Sequence, residues 1–345
     1  MPFFFNTKLI ILNYENQKKK GSFKMKIKEL KHGEIGTVEC IITEIEEKSN
    51  SNNGIFLNVK FSDGDVSEIG KKWNTKIVDF PFSVGQCVFM ELKKELYKQN
   101  DSYIIRDVVE SSSNPDEFIC GSPVEDERMF SFLIRNADRC GVYADVVKKI
   151  LNDNKEKLLY WGAAQSVHHN IKGGLLYHTY RMVKAAAYVA NVYNTNPGMI
   201  PNTRVINTEL LVAGTILHDI GKLWSLETNK LGESEYTPQG TLLGHLAIGF
   251  SVFTEYAKKE NLNDEDIMLM QHMILSHHGL YEYGTTSIPA IPEAMILHHI
   301  DMIDSKIYQF EVNADTVEPG CVTAKVFALG QKVYRPTWRL PENEK

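Results

Sequence analysis

The chain of 345 residues has no CxxC pair, no apolar run fit to cross a bilayer and no basic segment beyond its first 24 residues. Its five cysteines (Cys40, Cys87, Cys120, Cys140 and Cys321) are scattered, which excludes a zinc ribbon and fits reduced thiols in a cytoplasmic protein. The opening "MPFFFNTKLIILNYENQKKK" is apolar only in patches. Asn6, Lys8 and Asn13 interrupt it and no basic residue precedes it, so neither a secretory signal nor a membrane anchor is expected. Residues 1–24 read instead as a loose basic tail, with Met25 an alternative start. The formal charge of −6 divides as +4 in residues 1–24, −3 in residues 25–110 and −7 beyond. Bulk charge therefore cannot hold a nucleic acid, and local lysines or metals would have to do so. With 43% hydrophobic and 24% charged residues, the composition is that of a globular protein long enough for two cores.

What is present changes along the chain. In residues 25–110, "GTVECIITEIEE", "IFLNVKFSDGDVSEIGKKW" and "VGQCVFMELKKELYKQNDSYIIRDV" alternate apolar and polar positions, with turn chemistry at Asn53-Gly54 and Asp63-Gly64. About five strands in that length predict a small barrel, with the OB-fold as the expected type, although an SH3-like barrel would leave much the same trace. Residues 111–127, rich in turn formers and acids, read as a linker. Residues 128–338 turn helical, with "GGLLYHTYRMVKAAAYVANVYN", "TLLGHLAIGFSVFTEYAKKE", "DEDIMLMQHMILSHHG" and "IPEAMILHHIDMIDSKIYQF" as the long runs. Gly279 stands where a C-terminal cap is usual and Pro292 suits a first turn. The predicted fold class is multidomain α+β: a small N-terminal β-barrel of OB-fold type, then an all-α bundle.

The stretch "LLVAGTILHDIGKLW", residues 210–224, is apolar until it ends in His218 and Asp219. A buried polar group without a partner costs on the order of 1–3 kcal/mol. His178, His245, His277, His278 and Asp301 break other helical patterns in the same way. Each alone reads as a core side chain bonded to a carbonyl. Together, imidazoles and two carboxylates from separate helices are what a site for one or two divalent first-row metals requires.

The order "GGLLYHT", "LHDIGK", "GH", "SHHG" and "HHIDMIDSK" resembles the HD-domain metal-dependent phosphohydrolases over residues 160–310. More narrowly, the preceding barrel, "VHHNIKGGLLYHT" and "FALGQKVYRP" are similar to the YhaM-type 3′-to-5′ exoribonucleases, in which an OB-fold precedes the HD domain. The resemblance implies that His178, His218, Asp219 and Asp301 are the core metal ligands. His245, His277 and His278 match positions that hold a second metal in the binuclear branch, so one metal and two both stay open. It also implies manganese as the preferred ion, with Fe, Mg, Co and Zn as alternatives. Lys222 matches the lysine of the HDxGK motif and would be a fixed charge near the phosphate; complementing a helix dipole is its bland alternative. Asp219 would orient the nucleophile, and His169 would contact substrate or assist the leaving group unless it is structural. Two departures stand out: Tyr177 replaces a usual glutamate, and Gly162-Ala163-Ala164 replaces proline-alanine-alanine.

Barrels of this kind bind single strands by stacking bases on rings while cations track the backbone. Lys71, Lys72 and Trp73, with Lys93, Lys94 and Tyr97, are the groups available, whereas Phe56 and Phe61 are expected in the core. The leading expectation is a metal-dependent exoribonuclease of single-stranded RNA. Single-stranded DNA as substrate and a homo-oligomer stay open, and no membrane partner is expected. The alternatives are a phosphohydrolase of small or cyclic nucleotides and a nucleic-acid-binding protein with a vestigial metal site.

Overall fold

Alternation of apolar and polar residues puts one side chain in two inside a closed sheet. The strands that form it are β1 (Ile35–Ser49), β2 (Ile55–Ser62), β3 (Ser67–Trp73), β4 (Cys87–Tyr97) and β5 (Asn100–Glu110). They close in the order β1-β2-β3-β5-β4, antiparallel throughout except where β3 runs parallel to β5. This is the OB-fold arrangement, and the SH3-like alternative falls away. Leu57, Val59 and Phe61 of β2 face inward onto Val38, Val88, Met90 and Tyr103. Asp63 builds the β2–β3 turn: its buried carboxylate accepts from the backbone N–H of Asp65, Val66 and Ile27 at 3.0, 2.9 and 2.7 Å. Part of the stretch 111–127 is also structured, since Phe118 is buried and its carbonyl accepts from Ser62 Oγ at 2.9 Å.

The computed structural model describes residues 25–50, 54–97, 100–119, 121–163, 171–195, 205–229, 231–232 and 234–338, and the chain divides into two compact units between residues 120 and 121. The expected tail (residues 1–24), Asn53, Cys120, Ala164 and His169 lie outside the described residues, as does the side chain of Tyr97. The described cysteines, Cys40, Cys87, Cys140 and Cys321, are free.

The second unit is helical: α1 (Asp126–Ala137), α2 (Ala144–Asp153), α3 (Gly174–Thr195), α4 (Thr208–Leu217), α5 (Pro238–Lys259), α6 (Asp264–Ser276) and α7 (Pro292–Ala314). Helix α4 is buried from Leu210 to Leu217 and touches α3, α6 and α7, which makes it the central post. Asn207 caps it, its side chain accepting from the N–H of Glu209 and Leu210. Two hairpins with no sequence-stretch forecast accompany the bundle: β6 (Leu226–Thr228) with β7 (Ser234–Tyr236), and β8 (Val322–Val326) with β9 (Gln331–Tyr334). Among the described residues no helix is long and apolar enough to cross a membrane.

Candidate metal centre

The apolar helix α4 delivers its polar end to the middle of the bundle. His218 is its C-terminal cap and Asp219 follows, both buried. His178 lies on the second turn of α3, and Asp301 stands midway along α7. His277 caps α6, and His278 precedes Gly279, whose φ of +78° ends the helix. The sequence places His245 inside a helix, but Gly244 at φ +70° breaks α5 there, so His245 begins a new segment aimed at Asp219. Gly221 makes that approach feasible. A Cβ on Gly221 would lie 2.0 Å from the carbonyl oxygen of His245 and 2.6 Å from the amide nitrogen of Gly249. Backbone cannot yield as a side chain does, so Gly221→Ala is expected to lower stability by about 1–3 kcal/mol in a denaturant melt.

All seven expected ligands come together. Asp219 Oδ2 lies 3.3 Å from His218 Nε2 and 3.7 Å from His178 Nε2, while Oδ1 lies 3.4 Å from His245 Nε2 and 3.7 Å from His277 Nε2. His178 Nε2 is also 3.4 Å from Asp301 Oδ1. Three triads, His178/His218/Asp219, His218/His277/Asp301 and His245/His277/His278, each bring their donor atoms within 4.8 Å of one another.

Hydrogen bonds on the far side of the rings fix the tautomers. The Nδ1–H groups of His218, His277 and His278 donate to the carbonyls of Thr215, Ile274 and Tyr283 at 2.9, 2.8 and 2.8 Å. A carbonyl only accepts, so in each neutral ring Nε2 carries the lone pair. Nε2 of His218, His245 and His277, and Oδ1 of Asp219, are buried without a hydrogen-bond partner. Four such atoms gathered in one buried cluster are costly unless a cation meets them, and an N/O donor set without thiolate fits a divalent one.

The electrostatics of two of the rings agree. Burial pushes His245 down to about 3 and His277 well below the imidazole range, which keeps both in the neutral, ligating form. Burial would raise Asp219, but Lys222 and then His218 outweigh it and hold the carboxyl well below the usual range. Burial also works against a charged His178, yet its hydrogen bonds to Asp301 and Asp304 hold it up at about 9. Lys222 Nζ sits 2.7 Å from Asp219 Oδ2. Both line an open cleft of about 170 Å³ with His277, His278, Asp301 and three residues the sequence did not single out, Tyr283, Met302 and Ser305.

The HD domain family matches residues 175–306, the span that carries all seven expected ligands. The 3′-5′ exoribonuclease YhaM of Bacillus subtilis strain 168 is 30% identical over 302 residues, which cover 84% of this chain and 90% of that one. The chain belongs to the YhaM family. The YhaM of Listeria welshimeri is 29% identical over 320 residues, 88% of this chain and 97% of its own. A solved structure, the second OB-fold domain of replication protein A from Methanococcus maripaludis, aligns with 27% of this chain and 98% of its own at 18% identity and a TM-score of 0.23.

In this YhaM-family chain the expected ligands are backed by residues the sequence did not single out. His178 Nδ1 donates to Asp304 Oδ2 at 2.8 Å, and Arg181 Nε holds the other oxygen of Asp304 at 2.7 Å. Arg181 is itself steadied by Glu311 at 3.2 Å and by the ring of Tyr177 beneath its guanidinium, 5.4 Å away. Tyr177, the departure from the family glutamate, thus supports the arginine that positions the carboxylate behind His178. The available signal was the i, i+3 spacing of Asp301 and Asp304, which puts both on one face of α7. Asp304→Asn is expected to weaken Mn²⁺ affinity, read by titration calorimetry, by about 10–100-fold.

The barrel candidates separate into two groups. Lys71 and Trp73 share the outward face of β3: Trp73 is 40% exposed and packs on Phe56 at 4.8 Å, with Lys71 Nζ 5.6 Å from the Trp73 ring. Lys93 faces the same way two strands away, since Lys71 and Lys93 both pair with Ile104 of the intervening β5, and it contacts Glu95 at 2.6 Å. Lys72 is spent on the carbonyl of Arg106, and burial lowers its pKa. Lys94 is spent on Asp101 at 2.7 Å with its side chain only 12% exposed. Phe56 and Phe61 are buried.

Proposed function

We propose that this chain is a metal-dependent 3′-to-5′ exoribonuclease that shortens single-stranded RNA, and potentially single-stranded DNA, to nucleoside 5′-monophosphates. The barrel, residues 25–110, captures the strand, residues 111–127 link, and the bundle, residues 128–338, hydrolyses. One observation carries the reading: Asp219 turns Oδ2 to His178 and His218 and Oδ1 to His245 and His277. A carboxylate so divided between two pairs of imidazole nitrogens suits two cations better than one. The residues that would hold them are His178, His218, Asp219 and Asp301 on one side and His245, His277 and His278 on the other.

Bound there, divalent metal ions, Mn²⁺ first with Fe, Mg, Co or Zn as alternatives, would supply Lewis acidity toward the phosphodiester and an acidic water. The chain's own residues supply the rest. Thr215, Ile274 and Tyr283 hold the imidazoles in the ligating tautomer, Asp304 orients His178, and Lys222 places a positive charge in the cleft where the phosphate enters. The free cysteines fit a cytoplasmic enzyme.

The test is 5′-labelled single-stranded RNA incubated with the manganese-loaded protein. A descending ladder that disappears in EDTA is expected. An intact strand would favour the binding protein with a vestigial site, and turnover confined to mononucleotides would favour the small-nucleotide phosphohydrolase. On the barrel, Trp73→Ala is expected to raise KM for a long strand about tenfold, because stacking on an exposed ring contributes on the order of 1–3 kcal/mol per base.

A further inference from the structure

We propose that the β8–β9 hairpin is a second contact for single-stranded RNA, built into the hydrolytic unit; the inference rests on the exoribonuclease reading. Val333 and Thr323 are buried, so the hairpin has a committed inner face. Lys332 and Tyr334 therefore point outward, and Lys325 is the cross-strand partner of Lys332. The two lysines are cross-strand neighbours on that outer face, and among the described residues neither ammonium has an ion pair or a hydrogen bond. Like charges directly opposite each other destabilise a hairpin, a cost that an anion lying across both would remove.

Aromatic surface accompanies the charge. Phe327 opens the single turn Phe327–Leu329 at the hairpin tip and is 99% exposed, and Tyr334 is 54% exposed. An entire phenyl ring in water at a turn is unfavourable and contributes nothing to the fold. From residue 319 to 341 the sequence has no Asp or Glu but two lysines and two arginines, in a chain whose net charge is −6. The hairpin is also fixed in place. Arg335 Nη1 donates to the carbonyl of Val317 at 2.8 Å and its Nη2 pairs with Asp315 at 3.5 Å, which ties β9 to the C-terminal end of α7. Asp301 lies on that same helix, about 20 Å along its axis from Ala314. A segment without acids that presents unpaired lysines and exposed rings complements a strand of phosphates and bases, not an apolar or basic protein face.

The experiment measures fluorescence anisotropy of a labelled phosphorothioate oligoadenylate, which resists hydrolysis, with the full-length manganese-loaded protein. Replacing Lys325 and Lys332 together by Glu is expected to weaken binding about tenfold or more at low salt. It should also reduce the slope of log affinity against log salt by about 1.4, for two lost phosphate contacts on a single strand. Phe327→Ala is expected to weaken binding about fivefold or more and Phe327→Trp to retain it. Affinity and slope equal to wild type in the charge-reversed and Phe327→Ala proteins would overturn the contact. So would variants that lose self-association in sedimentation while RNA affinity stays unchanged, because the hairpin would then join copies of the chain. A wild type that neither binds nor shortens RNA would overturn the exoribonuclease reading and this one with it. A wild type that does both, beside variants that match it, would overturn the hairpin contact alone.

Discussion

Asp219→Asn is expected to leave a folded protein that retains no metal through dialysis and has lost activity by more than about 10³-fold. The argument is geometric. Its two oxygens lie 3.3 to 3.7 Å from four imidazole nitrogens, two in each histidine set. An amide keeps the shape but removes the negative charge, and its NH₂ would donate to one of the bare Nε2 atoms that a metal needs. That same donation satisfies a buried lone pair, so the fold is expected to survive, which circular dichroism would show. Metal content by atomic absorption decides the matter: an Asp219→Asn protein that keeps the wild-type stoichiometry would mean that Asp219 is not a ligand.

The ligands were legible in the sequence because each breaks a pattern whose physical reason is simple. An all-apolar segment such as residues 210–217 can only be a central helix, so its polar end must lie inside the bundle with something to satisfy it. The strands were legible for a similar reason, since period two is a local property. Strand order is not local, and the parallel pairing of β3 with β5 that marks the OB type has no trace in alternation. The supporting shell was hidden because its meaning depends on distant partners. Arg181 reads as one more exposed cation on α3 until α7 brings Asp304 and Glu311 beside it. Lys94 reads as a free lysine on β4 until β5 brings Asp101. The two hairpins of the second unit were missed because strands of three to five residues give too short an alternation to register. One of them packs closely on Gly162, where a Cβ would lie 2.5 Å from Ser234 Oγ on β7 and 3.3 Å from the carbonyl oxygen of Gly232.

Lys222→Met separates charge near the phosphate from metal binding. Lys222 Nζ is 2.7 Å from Asp219 Oδ2, lines the cleft, and has its main chain fixed by Trp161, whose indole N–H donates to the Lys222 carbonyl at 3.0 Å. The ammonium therefore competes with a cation for the same carboxylate oxygen. Removing it cannot weaken the metal's hold through lost attraction; it removes a repulsion, and metal affinity is expected to stay level or rise. Turnover is expected to move the other way. A fixed positive charge in the cleft stabilises the charge that develops on the phosphate, and loss of one such group typically lowers kcat by about 10²–10³-fold. Methionine matches the length of the stem and buries without a partner, so folding should not confuse the outcome. Calorimetric Mn²⁺ titration and single-turnover cleavage on the same preparation read the two effects apart. If affinity and rate fall together, Lys222 holds the ligand Asp219 in place, and its charge is not aimed at the substrate.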